Sequence, residues 1–318
     1  MRALRFHEQQ LQLLESYPTP QPAAHEALIR IKLAGICATD LAILRGYKGF
    51  QGVLGHEFVG EVVACADSSW LQARIVGEIN CGCGLCAQCR CGSANHCPQR
   101  TVLGISKRDG VFADYCTLPL ANLHRLPASL SDQQGVLVEP LAAALRIGEQ
   151  IHLTAGEPVA VVGDGRLGIL VAHVLAASGC DLTVIGHHPE HQPLLPATLK
   201  AYYLPEEIPA NLSFYTMIEC SGSGQGLGFA LSKVQPGGRI VLKSTLPSAI
   251  PLQPADWVVR EVQIIGSRCG PFAKAIAFLQ QQPLPIQALI TACYPLEQAA
   301  QAITHARQKG ALKVLIQP

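Results

Sequence analysis

Six of the thirteen cysteines in this 318-residue chain crowd into Glu78–Cys97, EINCGCGLCAQCRCGSANHC. Cys83, Cys86, Cys89 and Cys97 follow the spacing C-x2-C-x2-C-x7-C. Four thiolates at such short separations can converge on one metal ion, and a closed four-sulfur tetrahedron is what structural zinc sites use. Cys81 and Cys91 share the stretch, so other sets of four stay open. A disulfide-stapled loop is the competing reading, disfavoured because nothing else in the chain looks secreted. A second stretch, Val159–Gly168, reads VAVVGDGRLG, in which Gly163, Gly165 and Gly168 make G-x-G-x-x-G and Arg166 and Leu167 begin a helical period. The first glycine permits a tight turn, the second lets the backbone approach a pyrophosphate, and the third lets helix and strand pack. The helix N-terminus adds its positive dipole. A glycine-rich turn with no ligand is the alternative, and Asp164 must point away from any phosphate or weaken its binding. Cys37 in GICATD and His56 in GHEFVG add a soft thiolate and an imidazole, both good zinc ligands. Taken alone, each reads more simply as a buried thiol and a hydrogen-bonded turn histidine.

The elements that must position these residues fall into two textures. In Glu26–Leu33, EALIRIKL, Ala27, Ile29, Ile31 and Leu33 share one face, the period of a half-buried strand. Phe58–Ala64 is a second strand candidate, the cysteine lobe interrupts at 78–100, and strands resume near Phe112–Leu118. From about Gly148, apolar runs alternate with helical periods. Glu157–Val162, Leu182–Ile185, Met217–Ile218, Arg239–Leu242 and Val262–Ile265 read as buried strands. Arg166–Ser178 and Gln225–Val234 read as helices, so a parallel sheet covered on both faces is expected. Pro189–Pro209 is rich in proline and reads as an irregular connection. After Ser267, Phe272–Gln281 and Leu296–Arg307 read as helices and Ala311–Ile316 as a final strand.

Composition narrows the function classes. Hydrophobic residues make up 49% and charged ones 15%, ample for buried cores. A net charge of +1 implies no nucleic acid and no acidic membrane surface as partner. The N-terminus lacks the apolar run of a signal peptide, and no uninterrupted apolar segment spans a bilayer. A soluble, cytoplasmic protein in a reducing compartment is expected.

The cysteine spacing, GICATD, GHEFVG, VEPL at Val138–Leu141 and the glycine fingerprint together resemble the zinc-containing medium-chain dehydrogenase/reductases, the alcohol, polyol and threonine dehydrogenase group. The resemblance runs from Met1 to the C-terminus. It implies an α/β fold in which a doubly wound parallel Rossmann sheet, residues 148–266, is inserted into a β-rich GroES-like catalytic domain, residues 1–147 and 267–318, with its zinc lobe at 78–100 and the active site in the cleft between the domains. It implies two zinc ions (Zn2+) per chain. Cys83, Cys86, Cys89 and Cys97 would hold the structural one. Cys37 and His56 would hold the catalytic one, with Glu57 beside them and Glu139 as fourth ligand, direct or through water. Glu139 otherwise reads as a helix-start carboxylate. Asp40 would orient a ligand. Thr39 matches the hydroxyl that begins proton removal, while the histidine that continues the relay in many relatives is replaced by Ala42. Lys313 matches a basic residue that reaches the pyrophosphate. The activity implied is hydride transfer between a small-molecule alcohol or polyol, or the matching carbonyl, and a nicotinamide cofactor, in a homodimer or homotetramer. Zinc-free reduction of a double bond, or a metal- and nucleotide-binding regulator without turnover, are the alternatives.

Cofactor choice is read at the end of the second Rossmann strand, where NAD-binding units carry Asp or Glu for the ribose 2′-hydroxyl. Aligned by length with the family, that position is His187, followed by His188. With no carboxylate there to repel a 2′-phosphate, and two histidines that could donate to one, NADP(H) is favoured over NAD(H).

Overall fold

The computed structural model describes residues 1–245 and 253–318. They form two units, Met1–Glu139 with Phe272–Pro318, and Pro140–Pro271. The division falls at Glu139/Pro140 and Pro271/Phe272, where sequence texture placed it at 147/148 and 266/267. A continuous helix, Val138–Gln150, runs across the first of these points and hides any change of texture there.

The first unit is organised on strand Glu26–Gly35. Ala27, Ile29, Ile31 and Leu33 are buried while Arg30 and Lys32 are exposed, the alternation that a two-residue period requires. Strands Glu57–Cys65 and Tyr115–Pro119 pair antiparallel with it, and so does the closing strand Lys313–Gln317. The C-terminal segment therefore completes the first unit's sheet. In the register with Glu57–Cys65, Gly35 stands opposite Glu57. The exit of one strand and the entry of the other thus lie at the same edge, and the residues just beyond them, Cys37 and His56, are brought together. Gly60 sits where a Cβ would press on the Ile29 side chain and the Arg30 carbonyl, so this pairing demands glycine. The strand expected over Phe112–Leu118 begins at Tyr115 instead. Phe112 donates its amide to the Leu54 carbonyl and accepts from the Leu4 amide, which ties it to other segments. A separate three-stranded sheet, Asn80–Cys81, Thr101–Leu103 and Lys107–Arg108, forms the base of the cysteine lobe.

The second unit is a six-stranded sheet whose paired strands all run parallel. Its spatial order is Ala201–Tyr203, Asp181–Ile185, Pro158–Val162, Phe214–Glu219, Val234–Leu242 and Gln263–Gly266. Counted along the chain, that is the 3-2-1-4-5-6 order of the Rossmann fold, with the topological switch at Pro158–Val162. Its core includes Ala160, Val162, Ile185, Met217, Leu227 and Ile240. The third strand lies inside the stretch expected to be irregular. It is only three residues long and half-buried, so it has no period to read. No helix among the described residues is long and apolar enough to cross a membrane.

The fingerprint glycines differ in what they tolerate. A Cβ on Gly168 would strike the Gly163 carbonyl, whereas one on Gly165 would meet nothing within 4 Å. Gly168→Ala should therefore destabilise the chain by about 1–3 kcal/mol, since backbone must move to admit the methyl. Gly165→Ala, at an extended φ of −81°, should stay within about 0.5 kcal/mol of the parent. Denaturant midpoints of the two variants check this pair, and equal losses would contradict the packing.

Candidate active site

The strand Glu26–Gly35 leads through Ile36 to Cys37, which caps the short helix Ala38–Ile43. Cys37, His56 and Glu57 each place one ligand atom within 4.8 Å of the others. His56 and Glu57 are 2% and 1% exposed, and Cys37 is half-buried. Asp40, fully buried, joins the two ligand-bearing segments. Its Oδ2 accepts from the Cys37 amide at 2.8 Å and its Oδ1 from the Gly55 amide at 3.2 Å. His56 Nδ1 lies 3.3 Å from Asp40 Oδ1, within ion-pair range but not aligned as a hydrogen bond, and so it has no hydrogen-bond partner. Burial alone would pull the His56 imidazole down. The charges of Asp40 and Cys37 outweigh it and hold the imidazole well above its usual value. Thr39 Oγ1 is 3.7 Å from Cys37 Sγ, so its hydroxyl stands beside the cluster.

Glu57 is held from one side only. Its Oε2 is paired with the Lys313 ammonium, which also donates to the Ile36 carbonyl at 3.4 Å, while its Oε1 is buried without a partner. Lys313 is itself buried, so its amine is committed to Glu57. Glu139 stands half-buried in the first turn of Val138–Gln150 and is not one of the three clustered residues. A sulfur, an imidazole and a carboxylate, with one nitrogen and one oxygen left unpartnered, form a donor set suited to zinc with a position to spare.

In the lobe, Cys83, Cys86, Cys89 and Cys97 form the second such cluster. Backbone amides donate to two of its sulfurs: Cys86 N to Cys83 Sγ at 3.4 Å and Cys83 N to Cys97 Sγ at 3.5 Å. The amides of Leu85 and Cys86 lower the Cys83 thiol to about 6. Desolvation and the three neighbouring sulfurs push Cys89 up to about 12. Four sulfurs this close cannot all ionise unaided, and a divalent cation is what reconciles them. A Cβ on Gly82 would crowd Cys89 Sγ, so glycine lets the loop close on the cluster. The two remaining lobe cysteines separate from it. Cys81 is buried beside the Ile79 carbonyl, and exposed Cys91 donates to the Gln88 carbonyl. None of the thirteen cysteines is in a disulfide, so the disulfide alternative has no support here.

The glycine fingerprint lies between strand Pro158–Val162 and helix Arg166–Ala177. Gly163 adopts φ +109°, open to glycine, with the Cys220 and Ser221 backbone packed where a side chain would stand. Open space at Gly165 faces the helix N-terminus, a cradle that a phosphate can enter. Asp164 does point away. Its carboxylate accepts from the His188 amide at 2.7 Å, the Tyr202 hydroxyl at 2.7 Å and the His187 amide at 3.3 Å. The His187 side chain is exposed, and His188 Nδ1 lies 3.2 Å from Glu190 Oε1.

Comparison with known proteins agrees with this geometry. The family described as "Alcohol dehydrogenase GroES-like domain" matches residues 23–128. An L-threonine 3-dehydrogenase from Coxiella burnetii is 30% identical over 77% of this chain and 76% of its own length. The chain belongs to the zinc-containing medium-chain dehydrogenases. Among solved structures, a zinc-binding dehydrogenase from Sinorhizobium meliloti bound to NADP is 27% identical, with a TM-score of 0.89 over 100% of this chain and 99% of that one. An Escherichia coli alcohol dehydrogenase complexed with NADH is 25% identical, with a TM-score of 0.90 and the same coverage. Relatives of this dehydrogenase thus carry either nicotinamide cofactor.

Two features of this dehydrogenase were not read from sequence. The Glu57–Lys313 pair joins residues 256 positions apart, and the Asp164–Tyr202 pair 38 apart. The one available signal was Asp164 itself, a carboxylate between fingerprint glycines.

Proposed function

We propose that this medium-chain dehydrogenase moves a hydride between an alcohol or polyol, or the matching ketone or aldehyde, and a nicotinamide dinucleotide. The observation that carries this reading is the Cys37–His56–Glu57 cluster with its buried, unpartnered Glu57 Oε1, in a chain that also builds a phosphate cradle. Zinc at this cluster, with Glu139 as an exchangeable ligand, supplies a Lewis acid, and the nicotinamide supplies the hydride acceptor or donor. The chain's own residues do the rest. Asp40 fixes the two ligand segments and the face that His56 presents. Lys313 offsets the charge of Glu57 and sets which of its oxygens is free. Thr39 Oγ1 accepts the substrate's hydroxyl proton and passes it to water, since Ala42 offers no onward acceptor. The four lobe thiolates would hold a second zinc, in a purely structural role. Gly165, Arg166 and Leu167 would offer backbone amides to the pyrophosphate, while Gly163 permits the turn and Gly168 the close helix–strand packing that shape this cradle. The free cysteines and the family resemblance support a homodimer or homotetramer in a reducing cytoplasm.

The test is turnover of a panel of primary and secondary alcohols and polyols with NAD+ and with NADP+. Thorough chelation should abolish turnover and zinc should restore it. Turnover that survives complete loss of metal would point to zinc-free reduction chemistry. Dinucleotide binding without any turnover would point to a regulator.

A further inference from the structure

The expectation of NADP(H) rested on two histidines able to donate and on the premise that no carboxylate stands at the end of the second Rossmann strand. The structure places one there from a different segment. Gly186 follows strand Asp181–Ile185, and a Cβ built on it would run into the Asp164 carboxyl group. Asp164 reaches across from the fingerprint loop to lie against Gly186, the residue just before the His187 position, and so brings a carboxylate to the end of that strand.

We propose that Asp164 sets cofactor choice in this enzyme, acting as the missing acidic residue of the second strand and excluding the 2′-phosphate of NADP(H). The proposal rests on the dinucleotide reading of the fingerprint given above. Three observations support it. The donors at this corner include the His187 amide, the His188 amide and the Tyr202 hydroxyl. All three already serve the Asp164 carboxylate, at 3.3, 2.7 and 2.7 Å. The His188 and His191 side chains do not replace them. His188 faces Glu190, a second carboxylate, and His191 donates Nδ1–H to the Asp164 carbonyl at 2.9 Å, which holds the loop in place. Finally, Asp164 stays ionised: burial opposes its charge, but Tyr202 and the two amides hold it below the usual carboxylate range. A phosphate entering here meets a fixed negative charge and finds these donors taken, the kind of repulsive element that specificity requires. Asp164 is only 3% exposed, so it acts on an incoming phosphate through its charge and by holding these donors, not by binding the ribose itself. The cofactor is therefore NAD(H).

Titration calorimetry of the full chain with AMP and with adenosine 2′,5′-bisphosphate tests this without the nicotinamide or any turnover. The wild-type protein should bind AMP more tightly. Asp164→Asn keeps the shape and removes the charge, and should shift the ratio of affinities toward the bisphosphate by about tenfold or more. The NADP+/NAD+ ratio of kcat/KM should move the same way. A wild-type preference for the bisphosphate, or an unchanged ratio in a folded Asp164→Asn variant, overturns the proposal. If that variant does not fold, the two wild-type titrations still decide. Binding of neither ligand by folded wild-type protein would bring down the dinucleotide reading and this proposal with it.

Discussion

Asp40→Ala should lower turnover by about a hundredfold and release the zinc held by Cys37 and His56, while the lobe keeps its own. Residues that orient metal ligands typically contribute ten- to a hundredfold in affinity or activity. Asp40 stands at the upper end because it fixes two segments at once. Removing it leaves the Cys37 and Gly55 amides buried without acceptors, a penalty of roughly 1–3 kcal/mol for each. It also takes away the carboxylate beside His56 Nδ1, and the ring loses the charge that fixes its face. Both segments reach the site as strand ends, and the strand register that brings them together does not involve Asp40. The fold should therefore survive, with unchanged far-ultraviolet circular dichroism. Asp40→Asn, which keeps one acceptor oxygen, should fall between the variant and the parent. Metal analysis and steady-state kinetics read the outcome. Two zinc ions and near-parental turnover in Asp40→Ala would show that Asp40 is a bystander.

How much of this could be read from the sequence depended on whether a feature was local. Strand Glu26–Gly35 was legible because one buried face forces a two-residue alternation. The fingerprint was legible because its glycines answer constraints a few residues away. The lobe was legible because its ligands lie within one short stretch, although only the structure separated Cys81 and Cys91 from the chosen four. What the sequence did not carry was non-local or too short. Strand Ala201–Tyr203 is fixed by pairing with Asp181–Ile185 rather than by a pattern of its own. Lys313 was read as a pyrophosphate contact; that the register of the closing strand brings its amine to Glu57 has no local signal. Cofactor choice was read from His187 and His188 alone, because nothing local says that Asp164 turns toward Gly186.

The lobe should show the largest effect on folding. Cys97 is fully buried, and its sulfur accepts from the Cys83 amide while standing within 4.8 Å of the other three. Cys97→Ser replaces a thiolate by a hydroxyl that does not ionise, and three sulfurs cannot close the tetrahedron. Metal binding to such a site is linked to folding, because the loop has little apolar surface of its own to hold it. Leu85 is 79% exposed, and Ala87–Arg90 is a single helical turn with no buried residue. The variant should therefore hold one zinc per chain instead of two, lose protection of the lobe against proteolysis, and melt several degrees lower. In the parent, the two metals should part under mild chelation. The site with Cys37, His56 and a carboxylate should empty first and take turnover with it, while the four-thiolate site should persist. Release of both metals together, or a single zinc per chain in carefully prepared parent protein, would refute the assignment of separate structural and catalytic roles.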